Sequence, residues 1–202
     1  MAQKTVIEVC DKILSFIKDV DLEYFNLVNH TLHNSVLDKL MPFLSNAGEV
    51  GLIWIIFSLL LFAAGRPATR KAAFLMLVAV IASYLTGECF KHLFQRPRPF
   101  VTLPGVELLV SPLHSYSFPS EHTANAFAAW LVLKRKLPGL AWFFILLAFA
   151  MAFSRVYVGV HYPLDVLAGS LLGLACGAIV LKYEKQVLLK NRGWRQENWR
   201  KY

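Results

Sequence analysis

Apolar residues in this chain fall in long blocks separated by short polar stretches. The blocks run at about 49–65, 71–90, 117–134, 139–155 and 163–182, near the ~20 residues that a helix needs to cross a hydrocarbon core. Backbone groups in lipid must find partners within their own segment, so each block predicts a transmembrane helix. The first block, Gly51 to Ala64, is short and has to borrow residues before it or tilt little. Residues 1–48 follow another pattern. Val6, Val9, Ile13, Phe16 and Ile17 recur at helical spacing with charges between them, and Leu37, Leu40, Met41 and Leu44 do the same. That spacing predicts amphipathic helices, lying in the membrane interface or packed on the protein surface. A sixth span within 22–46 is the alternative, and His30, His33, Asn34, Asp38 and Lys39 count against it. The expected fold is an all-α integral membrane protein, a bundle of five transmembrane helices (six on the alternative count). It forms one domain: amphipathic helices at 1–48, a transmembrane core at 49–182 and a basic tail at 183–202.

Composition sharpens this reading. The 202 residues are 56% hydrophobic with a mean hydropathy of +0.49, above the ~45–50% apolar content of soluble domains. The net charge of +8 would point to nucleic acid in a soluble chain, but here the cations sit between or after apolar blocks. Thirteen of the 21 Lys and Arg fall on one side: Arg66, Arg70 and Lys71, then Lys134, Arg135 and Lys136, then seven from Lys182 to Lys201. The positive-inside rule puts that side in the cytoplasm and turns loops 91–116 and 156–162 outward. Residues 1–20 carry too many charges for a signal-peptide core. Cys10, Cys89 and Cys176 form no C-x-x-C pair, which argues against a disulfide framework or a zinc site. Asn29-His30-Thr31 matches a glycosylation sequon, a pattern frequent by chance. Gly169, Gly173 and Gly177 recur every fourth residue, so the last helix is expected to approach a neighbour closely, within the monomer in preference to a dimer face.

Three polar segments share one predicted membrane face: Lys91 to Pro99, Phe118 to His122, and Ser154 to Asp165. Lys91, Arg98 and Arg155 converge where spans end, and arginine forks match phosphate oxygens. Pro97 and Pro99 restrict the backbone around Arg98. Ser120 stands where the third span would begin, so its hydroxyl and the free amides beside it offer an anion site. His122 and His161 can serve as acid and nucleophile, and Asp165, four residues on and behind Pro163, can hold the imidazole in one tautomer. Taken singly, each has a plainer reading: cations as interfacial anchors, Asp165 as a helix N-terminal charge, Ser120 as a cap. Jointly they point to phosphoryl chemistry. His30, His33, His92 and His114 lack such company.

These segments resemble the signature of the type 2 phosphatidic acid phosphatase superfamily, which includes vanadium haloperoxidases: K-x6-R-P, P-S-G-H and S-R-x5-H-x3-D. The first and third match at every defined position, and Glu121 replaces the glycine of the second. The resemblance implies that His161 attacks phosphorus, Asp165 orients it and His122 protonates the leaving oxygen. Lys91, Arg98, Ser120 and Arg155 would bind phosphoryl oxygens, and no metal or other cofactor is implied. Glu121 retains an amide for phosphate, and its carboxylate is expected to point away or to meet a cationic or hydroxylated head group. Arg96 lies outside the pattern and is at best auxiliary. The implied protein is a bacterial inner-membrane lipid phosphatase with its site on the outer face. Its partners are the bilayer and a lipid phosphate: undecaprenyl pyrophosphate or phosphatidylglycerol phosphate, then phosphatidic acid or lipid A 1-phosphate. A lipid phosphotransferase is the rival within enzymes. A non-catalytic lipid-binding protein is the rival outside them, and it could tolerate loss of His161 or Asp165, yet both are present.

Overall fold

A computed structural model describes residues 2–48 and 51–199, with side chains described for 8–48 and 51–187. The described residues form eight α-helices: α1 (Ala2–Asn26), α2 (Leu37–Ala47), α3 (Leu52–Ala63), α4 (Pro67–Phe94), α5 (Pro99–Thr102), α6 (Glu121–Lys136), α7 (Ala141–Tyr157) and α8 (Pro163–Trp199). Residues 22–46 do not make one helix. A π-helical turn at Leu27–Thr31 follows α1, and α2 starts only at Leu37. Helix α8 continues well past the expected end at 182. Val6 and the tail residues Lys190, Arg192, Arg195, Arg200 and Lys201 lie outside the described side chains.

Three stretches are long and apolar enough to cross a membrane, Pro67–Thr102, Pro138–Tyr157 and Pro163–Val187, or four if α2 and α3 form one bent span. The expected span at 117–134 is not among them. Its helix, α6, has 16 residues and opens with Glu121 and His122. Burial explains how α6 can be so polar. Thr123 through Ala129, Val132 and Leu133 are all buried, where α6 packs against α4, α7 and α8. The surface that would meet lipid belongs to its neighbours, on which Leu59, Phe74, Leu146, Phe149 and Leu171 are more than half exposed. An apolar belt of this extent is the outside of an integral membrane protein.

Small residues bring α8 against α6. A Cβ added at Gly169 or Gly173 would run into the backbone carbonyl of Ser120 or Ala124, and one at Gly177 would lie 3.2 Å from Ala128 O. The glycine stripe therefore serves contact within the chain. Because α4, α6, α7 and α8 alternate in direction, the end of α4, the start of α6, the end of α7 and the start of α8 gather at one end of the bundle.

Candidate active site

Helix α7 carries Arg155 and stops at Tyr157. Gly159 then turns the chain with φ 82°. A Cβ there would sit 2.7 Å from Val106 Cγ1 and 2.9 Å from Glu107 O, so the turn requires glycine. The turn delivers His161, which is 2% exposed. Pro163 starts α8 and places Asp165 in its first turn, as the sequence spacing predicts.

Asp165 does not hold His161 by a close direct contact. Its Oδ2 lies 3.6 Å from His161 Nδ1. Ser117 stands between them: its hydroxyl donates to Asp165 Oδ2 at 2.5 Å and lies 3.4 Å from His161 Nδ1. The Tyr162 amide donates to the same carboxylate oxygen at 2.9 Å. On the other side of the ring, Arg98 Nη1 lies 3.2 Å from His161 Nε2. Guanidinium can only donate, so Nε2 is an acceptor and the ring proton belongs on Nδ1, facing Ser117 and Asp165. Burial, and then the charges of Arg98, Arg155 and Lys91, push the His161 pKa well below the ordinary imidazole value. The ring is thus neutral near pH 7, with the Nε2 lone pair turned toward cations.

Arg98 is itself fixed. Its backbone is extended before Pro99 (φ −79°, ψ 156°). Its guanidinium donates to Ser115 O at 2.7 Å, Ser115 Oγ at 2.9 Å and Val160 O at 2.8 Å. Arg155 donates through Nη1 to Ser45 on α2. Lys91 is buried at the end of α4. His122, Arg155, Ser45, Asn46, Val110 and Leu113 line a cavity of about 280 Å³ beside these cations.

Ser120 does occupy the position before α6, but its hydroxyl does not cap the helix. It pairs with Thr123 Oγ1 at 3.0 Å instead. Glu121 departs from expectation: its carboxylate neither points away nor waits for a head group. Oε2 pairs with Lys91 Nζ at 2.6 Å, and Glu88 reaches the same ammonium at 3.1 Å. Gly87 leaves room for this, since a Cβ there would be 3.1 Å from Glu121 Cγ. Three residues of the network carry no sequence signal of their own. Ser117, Ser45 and Asp21 are ordinary polar residues until folding brings them to Asp165, Arg155 and Arg96. Arg96 is more than auxiliary in position, because it pairs with Asp165 at 2.7 Å. His33 lies elsewhere, paired with Asp38 at 2.8 Å and Glu107 at 3.3 Å. Asn29 is fully buried, with its amide bonded to Glu107 and Tyr157 backbone, so the sequon is not an accessible acceptor. Among the described residues no group of three or more His, Cys, Asp or Glu could hold a metal ion.

Residues 72–188 match the sequence model of the PAP2 superfamily. An undecaprenyl-diphosphatase of Sulfolobus acidocaldarius is 35% identical over 154 residues, 76% of this chain and 73% of that protein. The undecaprenyl-diphosphatase BcrC of Bacillus subtilis is 30% identical over 151 residues, 75% of this chain and 77% of its own length. The crystal structure of Aquifex aeolicus LpxE superposes with a TM-score of 0.72 at 35% identity, covering 80% of this chain and 94% of that one.

Proposed function

Because this chain belongs to the PAP2 superfamily and is a membrane lipid phosphatase, we propose that it hydrolyses undecaprenyl diphosphate through a phosphohistidine formed on His161. The observation that carries the mechanism is the orientation of His161. Nδ1 faces Ser117 and Asp165, and Nε2 faces the cationic side of the site. Nε2 forms the N–P bond while the bond from phosphorus to the leaving lipid phosphate oxygen breaks. His122, which takes up a proton as the anionic head group enters beside it, donates that proton to the leaving oxygen. Water then attacks the phosphohistidine, giving its proton to His122, and inorganic phosphate departs. Lys91, Arg98 and Arg155, with the Ser120 hydroxyl and the amide beside it, stabilise the charge spread over the phosphoryl oxygens. This matches a reaction that depends on positioning and electrostatics. No metal or cofactor enters any step.

The choice of lipid rests on the names of the two relatives, both of which align over about three quarters of this chain. Phosphatidylglycerol phosphate is the second reading. In the plasma membrane the catalytic end faces outward and the Lys- and Arg-rich end faces the cytoplasm. Helices α3 and α6 complete a count of five spans, since α6 is shielded from lipid by its neighbours. Helices α1 and α2 lie in the outer interface, and the whole chain acts as one domain.

The test is phosphate release by purified protein in detergent with excess EDTA. The panel is undecaprenyl diphosphate, phosphatidylglycerol phosphate, phosphatidic acid and lipid A 1-phosphate, with His161→Ala alongside. Release from undecaprenyl diphosphate, absent in the variant, is expected. Equal release by His161→Ala removes the nucleophile, and activity restored only by a divalent metal removes the metal-free mechanism.

A further inference from the structure

Arg96 sits two residues beyond the end of α4, after Gln95 closes the helix in the left-handed conformation (φ 47°). Its guanidinium makes three contacts at once. Nη1 pairs with Asp165 Oδ1 at 2.7 Å, Nη2 pairs with Asp21 Oδ2 at 2.6 Å, and the carbon of the fork lies 4.0 Å from the centre of the Tyr162 ring. Asp21, from α1, is 2% exposed. Its second oxygen accepts from the Leu164 amide at 2.8 Å, in the first turn of α8. One carboxylate from the N-terminal helix therefore holds both the arginine and the backbone that carries Asp165.

The consequence is geometric. Asp165 has one oxygen committed to Arg96, and the other is shared by Ser117, the Tyr162 amide and the His161 ring. A planar fork presents its two nitrogens at fixed separation, so Asp21 and the Tyr162 ring determine where Arg96 can hold Asp165 Oδ1. Fixing that oxygen sets the rotation of the carboxylate, and with it the direction Oδ2 offers to His161. We propose that Arg96 and Asp21 are positioning residues for the Asp165–His161 pair, which makes α1 a working part of the active site. The inference rests on the reading of His161 and Asp165 given above.

The test uses the full chain in detergent and a soluble phosphomonoester, p-nitrophenyl phosphate, so that it does not depend on lipid identity. Variants are Arg96→Gln, Arg96→Lys, Asp21→Asn and the double variant Asp21→Asn with Arg96→Gln. Partners that orient metal ligands cost about 10–100-fold when removed, and a partner that orients a catalytic carboxylate is expected on the same scale. Arg96→Gln is expected to lower kcat by that factor with KM within about twofold. Arg96→Lys should recover part of the loss, because it restores charge but not the two-point fork. The double variant should be no slower than Arg96→Gln alone, since both substitutions act through one contact. Losses that multiply in the double variant, a loss confined to KM, or an unchanged kcat in Arg96→Gln would overturn the proposal. If Arg96→Gln does not fold, as judged by its melting transition, Arg96→Lys and Asp21→Asn are read by the same kcat criterion. His161→Ala and Asp165→Asn separate the two readings. If they retain full activity the phosphohistidine mechanism fails. If they are inactive while Arg96→Gln is not impaired, only this inference fails.

Discussion

The two ends of the bundle carry similar charge and use it in opposite ways. At one end Lys91, Arg98 and Arg155 are 4%, 3% and 2% exposed, each held by other groups of the protein. At the other, Arg66, Arg70, Lys71, Lys134, Arg135, Lys182 and Lys185 are exposed. Glu184 draws Lys71 and Lys136 together there with contacts of 2.6 and 2.5 Å. A buried cation costs several kcal/mol of desolvation unless its surroundings compensate it. An exposed one costs little and contributes little. The first end keeps its cations out of water beside a cavity, where on the proposed reading they meet a phosphoryl group. The second keeps them exposed, where water solvates them.

Removing a buried cation has the largest expected effect on the rate. Arg155→Gln is expected to lower kcat by about 10²–10³-fold, the usual cost of losing one donor to a developing anion. Steady-state rates on the best lipid of the panel check this. A loss under threefold would mean that Arg155 serves packing alone. The next largest effect is on stability. Gly173→Ala puts a methyl against the Ala124 carbonyl, a backbone atom that cannot swing aside. Overpacking of this kind costs about 1–3 kcal/mol, read as a lower melting temperature in detergent. No change would mean that α6 and α8 separate freely.

What was legible in the sequence follows the same division. His161 and Asp165 stand four residues apart, so the helix start at Pro163 predicts that they lie near each other, but not that Ser117 stands between them. Arg98 is similarly set by the prolines on either side. The relation of Asp165 to Ser117, Arg96 and Asp21 joins residues 48, 69 and 144 positions away in the chain, and no spacing encodes it. Helix α6 shows another limit. An apolar block at 117–134 predicts a span exposed to lipid, but a helix surrounded by other helices can begin with Glu121 and His122 and still sit in the middle of the bundle. The carboxylate of Glu121 is expected, from its charge, to point away from the site or to meet a head group. It turns to Lys91, since pairing offsets part of the cost of removing each charge from water.

That pairing gives a smaller, directional prediction. Glu121→Gln keeps the size of the side chain and frees Lys91 from a competing carboxylate. Phosphate, product or substrate, should bind about three- to tenfold more tightly, the range of a single weakened ion pair. Inhibition by inorganic phosphate measures it. Weaker inhibition would show that Glu121 holds Lys91 in its productive place, and that the pair is part of the phosphate site.

The smallest expected effect tests the other end of the bundle. Arg135, Lys182 and Lys185 are exposed, and their helices carry His122 and Asp165 only at the far end of α6 and α8. Each helix rises ~1.5 Å per residue, so the thirteen or more positions between these cations and His122 or Asp165 put them beyond a Debye length of ~8 Å at physiological salt. Neutralising all three to Gln should leave kcat and KM within twofold of the parent. A larger loss would mean that charge at that end reaches the phosphoryl site, and the two ends would have to be treated as one electrostatic unit.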